Sequence, residues 1–190
     1  MIQVYDDLMF KPAWPILFAI SRVMSRSARF SIGPGVVNPY HSHPSLIATN
    51  LASLNEESNG RAFLMLGKGA FHDLFRIKAE KPLTAIREAV EIIDGIVSSE
   101  PPELRGNVFS CKREAGLRWE VRHDVPRPRI WIGTWGLKTC ELAAQMRQVS
   151  GVMVSSVTDL KYLKMMRDRI RVGVGAVGRS PSDIELGCVS

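Results

Sequence analysis

Cysteine is scarce in this chain, and its apolar runs are short. Three cysteines, Cys111, Cys140 and Cys188, are scattered among 190 residues, an odd number without metal-ligand spacing. This pattern predicts reduced cytosolic thiols, and it predicts neither a disulfide framework nor a metal site. No run of about eighteen apolar residues occurs, so no membrane-spanning segment is predicted. The acidic Asp6-Asp7 pair near the start is not typical of a signal peptide.

Basic residues are in excess, but they form no recognisable binding motif. There are 25 lysines and arginines against 19 acidic residues, a formal net charge of +6. They are spread over several segments without a Lys/Arg run, so no nucleic-acid partner is predicted. A solvated surface is the ordinary explanation for such charge, and an anionic cofactor would also suit it. The hydrophobic content of 45% is enough for one buried core, which predicts a single domain over residues 1–190.

Strand-like and helix-like segments alternate along the chain. An alternating segment predicts a short strand at 2–5, and apolar runs predict strands at 30–33, 62–66, 130–133 and 151–154. Helical periodicity predicts helices from Pro12 to Val23, from Pro44 to about 58, over 82–98, over 139–149, and from a cap at Thr158 to Ile170. This alternation predicts an α/β fold with a parallel sheet.

Three segments carry more detailed expectations. In the first helix, Ile16, Leu17, Ile20 and Val23 form the apolar stripe. In the helix over 82–98, the polar side contains Arg87, Glu88, Glu91 and Asp94. Residues 106–129 predict a projecting hairpin, with strands at 108–109 and 117–121 around a turn at 114–116, and with His123 and Asp124 at the surface.

Residues 29–44, which read RFSIGPGVVNPYHSHP, are the part of the chain with the strongest functional signal. A short strand is expected to end at Gly33-Pro34-Gly35, and Pro39 keeps the residue before it extended. Pro44 suits the first position of a helix. Loops at the carboxyl ends of parallel strands are where barrel and doubly wound enzymes place their chemistry. An ordinary strand-to-helix turn is the alternative interpretation.

Three motifs, in order, resemble the luciferase-like flavin and deazaflavin superfamily, above all its methylenetetrahydromethanopterin reductase-like branch. Members carry Gly-x-Gly-Val-x-Asn-Pro-Tyr-x-x-His-Pro, then Leu-(Asp/Asn)-Glu-x-Ser-x-Gly-Arg, then Leu-Gly-x-Gly; here these are residues 33–44, 54–61 and 66–69. The resemblance implies a TIM-barrel-type (β/α)₈ fold, of which this chain matches strands two to seven. The first and last strands lack a match, so the barrel is expected to be incomplete. The family's first strand carries a carboxylate often given an acid role, and it has no counterpart here.

The resemblance also implies a site. It places Asp6 and Asp7 near the cofactor ring as candidate catalytic residues, although both could instead cap the following helix. It places a cis peptide bond at Gly35-Val36, against one face of the ring. The implied cofactor-binding residues are Gly35, Val36, Val37 and Asn38, the loop Gly67, Lys68 and Gly69, and the turn Gly133, Thr134, Trp135 and Gly136, where amides at a helix start favour phosphate.

The resemblance favours a coenzyme F420-dependent oxidoreductase that moves a hydride to or from a small substrate, such as the methylene group of a reduced pterin. Two alternatives stay open: an FMN-dependent monooxygenase of the luciferase type, and a non-catalytic truncated barrel that acts in binding or assembly. We expect a cytoplasmic protein without nucleic-acid or membrane partners. We also expect homo-oligomers that form through the open edge strands near Val4 and Leu186.

Overall fold

Strands and helices alternate in the computed structural model, which describes residues 1–24, 29–122 and 124–189. The strands are β1 (Ile2–Val4), β2 (Ile32–Val37), β3 (Phe63–Leu66), β4 (Leu104–Arg105), β5 (Ser110–Cys111), β6 (Arg129–Gly133), β7 (Val149–Ser155) and β8 (Glu185–Val189). The α-helices are α1 (Ala13–Val23), α2 (Pro44–Glu57), α3 (Pro82–Val97), α4 (Leu137–Gln145) and α5 (Leu160–Ala176). Short 3₁₀ helices lie at His72–Phe75 and Pro181–Asp183.

Six strands form one parallel sheet in the order β1-β2-β3-β6-β7-β8. Each strand of this sheet therefore lies beside the next one along the chain, as in a (β/α) barrel, whereas a doubly wound sheet reverses its strand order. Strands β4 and β5 form a separate antiparallel ribbon. The two outer strands, β1 and β8, each pair with a single neighbour within the described residues.

The two faces of the sheet are covered differently. Leu64, Ile132 and Val152 point to a large core that all five helices share, through residues such as Leu17, Leu51, Ile93, Ala144 and Ile170. The alternate strand positions point the other way. There Phe63, Met65, Trp131 and Met153 form a second buried cluster, with Val36 packed against it. Helices on one face and a self-packed inner cluster on the other are the arrangement of a barrel wall.

The inner cluster is buried because its large side chains lie over glycines of the neighbouring strands. A Cβ atom on Gly151 would lie 2.4 Å from Cζ3 of Trp131, and one on Gly187 would lie 2.7 Å from Cε of Met153. Real Cβ atoms do not approach other heavy atoms so closely. The tryptophan and methionine therefore occupy the volume that side chains at those two positions would need.

Strand β2 differs from the prediction, because it does not end at Gly33-Pro34-Gly35. It continues to Val37, and Pro34 pairs with Val4 of β1. The glycine at 33 permits this course, since a Cβ there would lie 2.1 Å from the carbonyl oxygen of Phe63. The predicted cis peptide bond at Gly35-Val36 is present.

The predicted helix starts and ends were correct for some helices and wrong for others. Pro44 stands at the start of α2 as expected, after the cap His43. In α1, Val23 is 84% exposed, and the buried positions are Ala13, Trp14, Leu17 and Ser21. Helix α4 covers 137–145 rather than 139–149, because Val149 already begins β7. Helix α5 is capped by Asp159 rather than Thr158, and it continues past Ile170 to Ala176. Among the described residues, no helix combines the length and apolar character needed to cross a bilayer.

Glu88 was predicted on the solvent side of α3, and the structure corrects this. The residue is only 4% exposed. Its Oε1 accepts the backbone N–H of Asn107 at 2.7 Å, and its Oε2 accepts those of Val108 at 2.9 Å and Phe109 at 2.8 Å. Burial raises the pKa of the Glu88 carboxyl, but the three donated N–H groups outweigh it, and the pKa is lowered overall.

The hairpin expected within 106–129 has different strands. Leu104 pairs with Cys111 and Arg105 with Ser110, so the turn lies at 106–109, where Glu88 binds it. The predicted strands at 108–109 and 117–121 are not formed. Instead, the segment after 117 lies against α2, and Trp119 and Arg122 donate to Glu56. Asp124 is exposed and forms an ion pair with Arg122, whereas His123 lies outside the described residues.

Candidate functional site

A cavity of about 260 Å³ lies where the carboxyl ends of the parallel strands meet. It is the place in a parallel α/β fold where ligand sites are expected. Its walls come from the ends of β1, β2, β3, β6 and β7 and from the loops that follow β1 and β3. The lining residues are Gln3, Tyr5, Asp7, Phe10, Gly35, Val36, Met65, Gly69, Ala70, Phe71, Gly133, Thr134, Trp135, Met153 and Ser155.

The shape of the cavity suits a flat ring. Gly35 and Gly133 contribute to one wall, where the side chains of Gln3 and Val36 pack over the two glycines. Met65 and Met153 of the inner cluster close its base. Aromatic side chains form the rim: the ring centroids of Tyr5 and Phe10 are 6.4 Å apart, and those of Phe10 and Phe71 are 6.3 Å apart. The walls are therefore mostly apolar, with polar groups at a few points.

Trp135 forms the rim of the cavity on the side of β6 and β7. Its side chain is 61% exposed, so it is not a core tryptophan, and its indole N–H donates to the carbonyl of Ser155 at 2.8 Å. Its own carbonyl accepts the hydroxyl of Tyr162 from α5. These contacts hold the indole at the edge of the cavity, where it can cover a bound ring.

Asp7 connects three loops around the cavity. Its Oδ2 accepts the N–H of Ala70 at 2.8 Å, and its Oδ1 accepts the N–H of Leu8 at 2.9 Å. The same Oδ1 lies 3.4 Å from Nδ2 of Asn38 and 3.3 Å from Nδ1 of His41. Asp7 thus fixes the end of β1 against the loops that follow β2 and β3. Among the described residues that line the cavity, Asp7 is the only one with a carboxylate.

Asp6 has a different environment. Its Oδ1 accepts the N–H of Ala13 at 3.0 Å, so the observed contact is the helix-capping one. Asp6 lines a second, more open space of about 260 Å³, which Asp7 and Phe10 also border, and it does not line the main cavity. Asp6 and Asp7, predicted together as catalytic candidates, both line this second space, and of the two only Asp7 also lines the main cavity.

Asn38 and His41 form a rigid polar network behind Asp7. The Oδ1 of Asn38 accepts the N–H groups of Tyr40 at 3.1 Å and His41 at 3.0 Å, which fixes the orientation of its amide. Its Nδ2 therefore donates to Nδ1 of His41 at 2.7 Å. Burial lowers the pKa of His41, and nearby His72 adds to this while Asp7 opposes it. The environment of His41 therefore favours the neutral ring more than that of a free histidine does.

The structure brings some of the predicted cofactor-binding residues to the cavity and places others beside it. Gly35, Val36, Gly69, Gly133, Thr134 and Trp135 line it. Val37 faces the helix-covered core, and Asn38 is buried in the network behind Asp7. Gly67 packs against the carbonyl of Gly133, Lys68 is exposed, and Gly136 starts α4 with its N–H bonded to Oγ1 of Thr134.

Several lining residues were not predicted from the sequence. Gln3 and Tyr5 alternate with Asp7 on one side of the β1 segment, so period-two spacing could have identified them. Met65 and Met153 likewise follow once the inward face of their strands is known. Phe10, Ala70 and Phe71 lie in loops, and no sequence pattern marks them.

The comparisons with known proteins give the family. The sequence model of the luciferase-like monooxygenase family matches residues 16–190. The chain belongs to the luciferase-like family. The 5,10-methylenetetrahydromethanopterin reductase of Archaeoglobus fulgidus is 33% identical to this chain over 157 residues. The matched region is 82% of this chain and 45% of that protein. The chain spans about half the length of the curated relatives it matches.

Solved structures of luciferase-like proteins share the fold. The coenzyme F420-dependent tetrahydromethanopterin reductase of Methanopyrus kandleri superposes with a TM-score of 0.85 at 24% identity, over 98% of this chain and 56% of that one. The oxygenating constituent of 3,6-diketocamphane monooxygenase from Pseudomonas putida, solved with FMN, superposes with a TM-score of 0.74 at 17% identity, over 97% and 55%. The six-stranded sheet is thus the helix-covered partial barrel that the resemblance implied.

Proposed function

We propose that this luciferase-like chain is the ring-binding part of a coenzyme F420-dependent oxidoreductase, and that hydride passes between the deazaflavin and a small substrate of the methylenetetrahydromethanopterin type. The observation that carries the proposal is the cavity at the carboxyl ends of the parallel strands, with Gly35 and Gly133 in its wall and an aromatic rim. The 33% identity to a methylenetetrahydromethanopterin reductase supports the choice of cofactor and substrate class.

The residues of the cavity fit a tricyclic ring. The backbone of Gly35-Val36 and Gly133 would lie against one face, while Trp135 and Phe71 cover the edges and exclude water. The bound deazaflavin would supply the hydride chemistry, and the protein would hold and orient it. At about 260 Å³ the cavity is smaller than the roughly 300–1,000 Å³ of a pocket for a whole drug-sized ligand, so the cofactor's anionic tail would extend towards solvent.

Asp7 is the group that we assign to proton handling. It is the carboxylate at the cavity, and its Oδ1 lies 3.3 Å from Nδ1 of His41. Hydrogen bonds from Ala70 and Leu8 fix its position, so a proton at Asp7 would be held at a defined place beside the ring. Asp6 has its contact with the start of α1, and we assign it no chemical role.

We also propose a cytoplasmic setting without a nucleic-acid or membrane partner. Cys111, Cys140 and Cys188 are free thiols, which suits a reducing compartment. The basic residues form no run along the sequence, which favours a solvated surface over a nucleic-acid site.

Titration of the purified protein with coenzyme F420 and with FMN tests the proposed cofactor. We expect F420 to bind more tightly, with quenching of tryptophan fluorescence, because Trp135 lies at the cavity. Equilibrium dialysis measures the same binding without depending on fluorescence. Tighter binding of FMN would instead favour the monooxygenase alternative, and binding of neither ring would favour a non-catalytic role.

The substitution Gly35→Val tests whether the cavity is the binding site. A Cβ atom there would lie 3.1–3.4 Å from three atoms of Gln3, and the valine methyls would deform the wall around it. We expect at least about tenfold weaker ring binding, with an unchanged far-UV circular dichroism spectrum. Gly116→Val is the matched control, because its Cβ would have only Pro101 within 4 Å, at 3.8 Å. An equal loss of binding in both variants would refute this site.

A further inference from the structure

Gln3 places an unpaired polar atom at the cavity. It lies on β1 beside Gly33 of β2, and its side chain packs over Gly35. The Oε1 atom is buried and receives no hydrogen bond from any described residue. A buried acceptor without a donor is unfavourable, so such an atom at a binding cavity points to a donor on the ligand.

Two N–H donors at the cavity are already committed, and no donor among the described residues is hydrogen-bonded to Gln3. The indole N–H of Trp135 donates to the carbonyl of Ser155, and the N–H of Ala70 donates to Asp7. Asp7 itself is an acceptor at this position, where it receives N–H groups from two loops. The donor that completes Gln3 is therefore expected to arrive with the bound molecule.

We infer that the Gln3 side chain binds the imide edge of the bound ring, which is a ring N–H between two carbonyl groups. Its Oε1 accepts that N–H, and its NH₂ group donates to an adjacent ring carbonyl. This inference rests on the proposed function. A carboxamide is complementary to an imide, because each offers one donor next to one acceptor. Flavin and deazaflavin rings share this edge, so Gln3 orients either ring and does not distinguish between them.

A cycle of protein and ligand changes tests this role. The probes are lumiflavin and 3-methyllumiflavin, in which a methyl group replaces the imide hydrogen, and the corresponding pair of 5-deazaflavins. The protein variants are wild type and Gln3→Met, which keeps the length of the side chain and removes its polar atoms. We expect wild type to prefer the unmethylated ring by roughly three- to tenfold, and we expect Gln3→Met to bind both rings alike. Binding is measured by fluorescence titration, without any assay of turnover.

Gln148→Met is the control, since it makes the same change at an exposed glutamine that does not line the cavity. This variant should keep the wild-type preference. If the wild-type protein binds both rings equally, the inference is overturned and the proposed function still stands. This comparison uses only the wild-type protein, so it does not depend on any variant folding. A preference that persists in Gln3→Met also overturns it. If neither a flavin nor a deazaflavin binds, the proposed function fails together with the inference.

Discussion

Replacement of Glu88 by glutamine should destabilise the protein far more than a substitution on the polar side of a surface helix, where the sequence pattern places this residue. The carboxylate accepts three backbone N–H groups in the 106–109 turn. A glutamine amide keeps one oxygen, so at least one buried N–H would face an NH₂ group, at a cost of about 1–3 kcal/mol. The remaining bonds change from charged to neutral acceptors and lose about 1 kcal/mol each. The expected total is about 3–5 kcal/mol.

Urea denaturation of Glu88→Gln measures this loss, and Glu91→Gln is its control. Glu91 lies on the same helix and is exposed, so its substitution should change the free energy of unfolding by less than about 0.5 kcal/mol. A loss below about 1 kcal/mol in Glu88→Gln would refute the argument, because the three hydrogen bonds could not then stabilise the turn.

The stability difference between wild type and Glu88→Gln should depend on pH. The folded-state pKa of Glu88 lies below its ordinary value of 4.5, so the charged carboxylate stabilises the fold above that pH. The contribution falls as the pH drops through the folded-state pKa, where the carboxylate becomes protonated. The difference in stability between wild type and Glu88→Gln should therefore be constant from pH 7 to about pH 5 and should decrease at lower pH. A difference that grows in acid would show that another group is responsible.

Two further predictions follow from packing and from the open sheet. Gly173→Ala in α5 should cost about 1–3 kcal/mol in thermal or urea unfolding, because its Cβ would lie 2.4 Å from the carbonyl oxygen of Glu141 in α4. Gly175→Ala has no neighbour within 4 Å and should be neutral or stabilising by about 0.5 kcal/mol, so equal losses in the two variants would contradict this account. We also propose that the chain associates through the unpaired edges of β1 and β8. Light scattering at low micromolar concentration should show a dimer or larger assembly, and a monodisperse 21.2 kDa monomer would contradict it.

The sequence predicted the sheet well because its central strands are buried on both sides. Residues 63–66 and 130–132 are continuous apolar runs, and the structure buries every one of them. Such runs between helical segments are the direct signal of a parallel strand. The family motifs pointed to the site, since six of the eleven predicted cofactor-binding residues line the cavity.

What the sequence could not predict depends on partners that are distant along the chain. Helical periodicity assigns Glu88 to the polar face, and it cannot distinguish a solvated carboxylate from one that binds amides nineteen to twenty-one residues away. Gly33-Pro34-Gly35 has the composition of a turn, and only the close approach of Phe63 shows why it is a strand. Gln3 has no local feature that marks its oxygen as unpaired.

The packing of Trp131 over Gly151 limits how this interior can change. Any side chain larger than hydrogen at 151 meets the indole, whose Cζ3 lies 2.4 Å from the Cβ position. A smaller residue at 131 alone would leave a void in a cluster that is otherwise buried. Each single substitution is therefore harmful, whereas a larger residue at 151 combined with a smaller one at 131 could restore the volume. The two positions are expected to vary as a pair, and a scan of single substitutions would score both as intolerant and miss their interdependence.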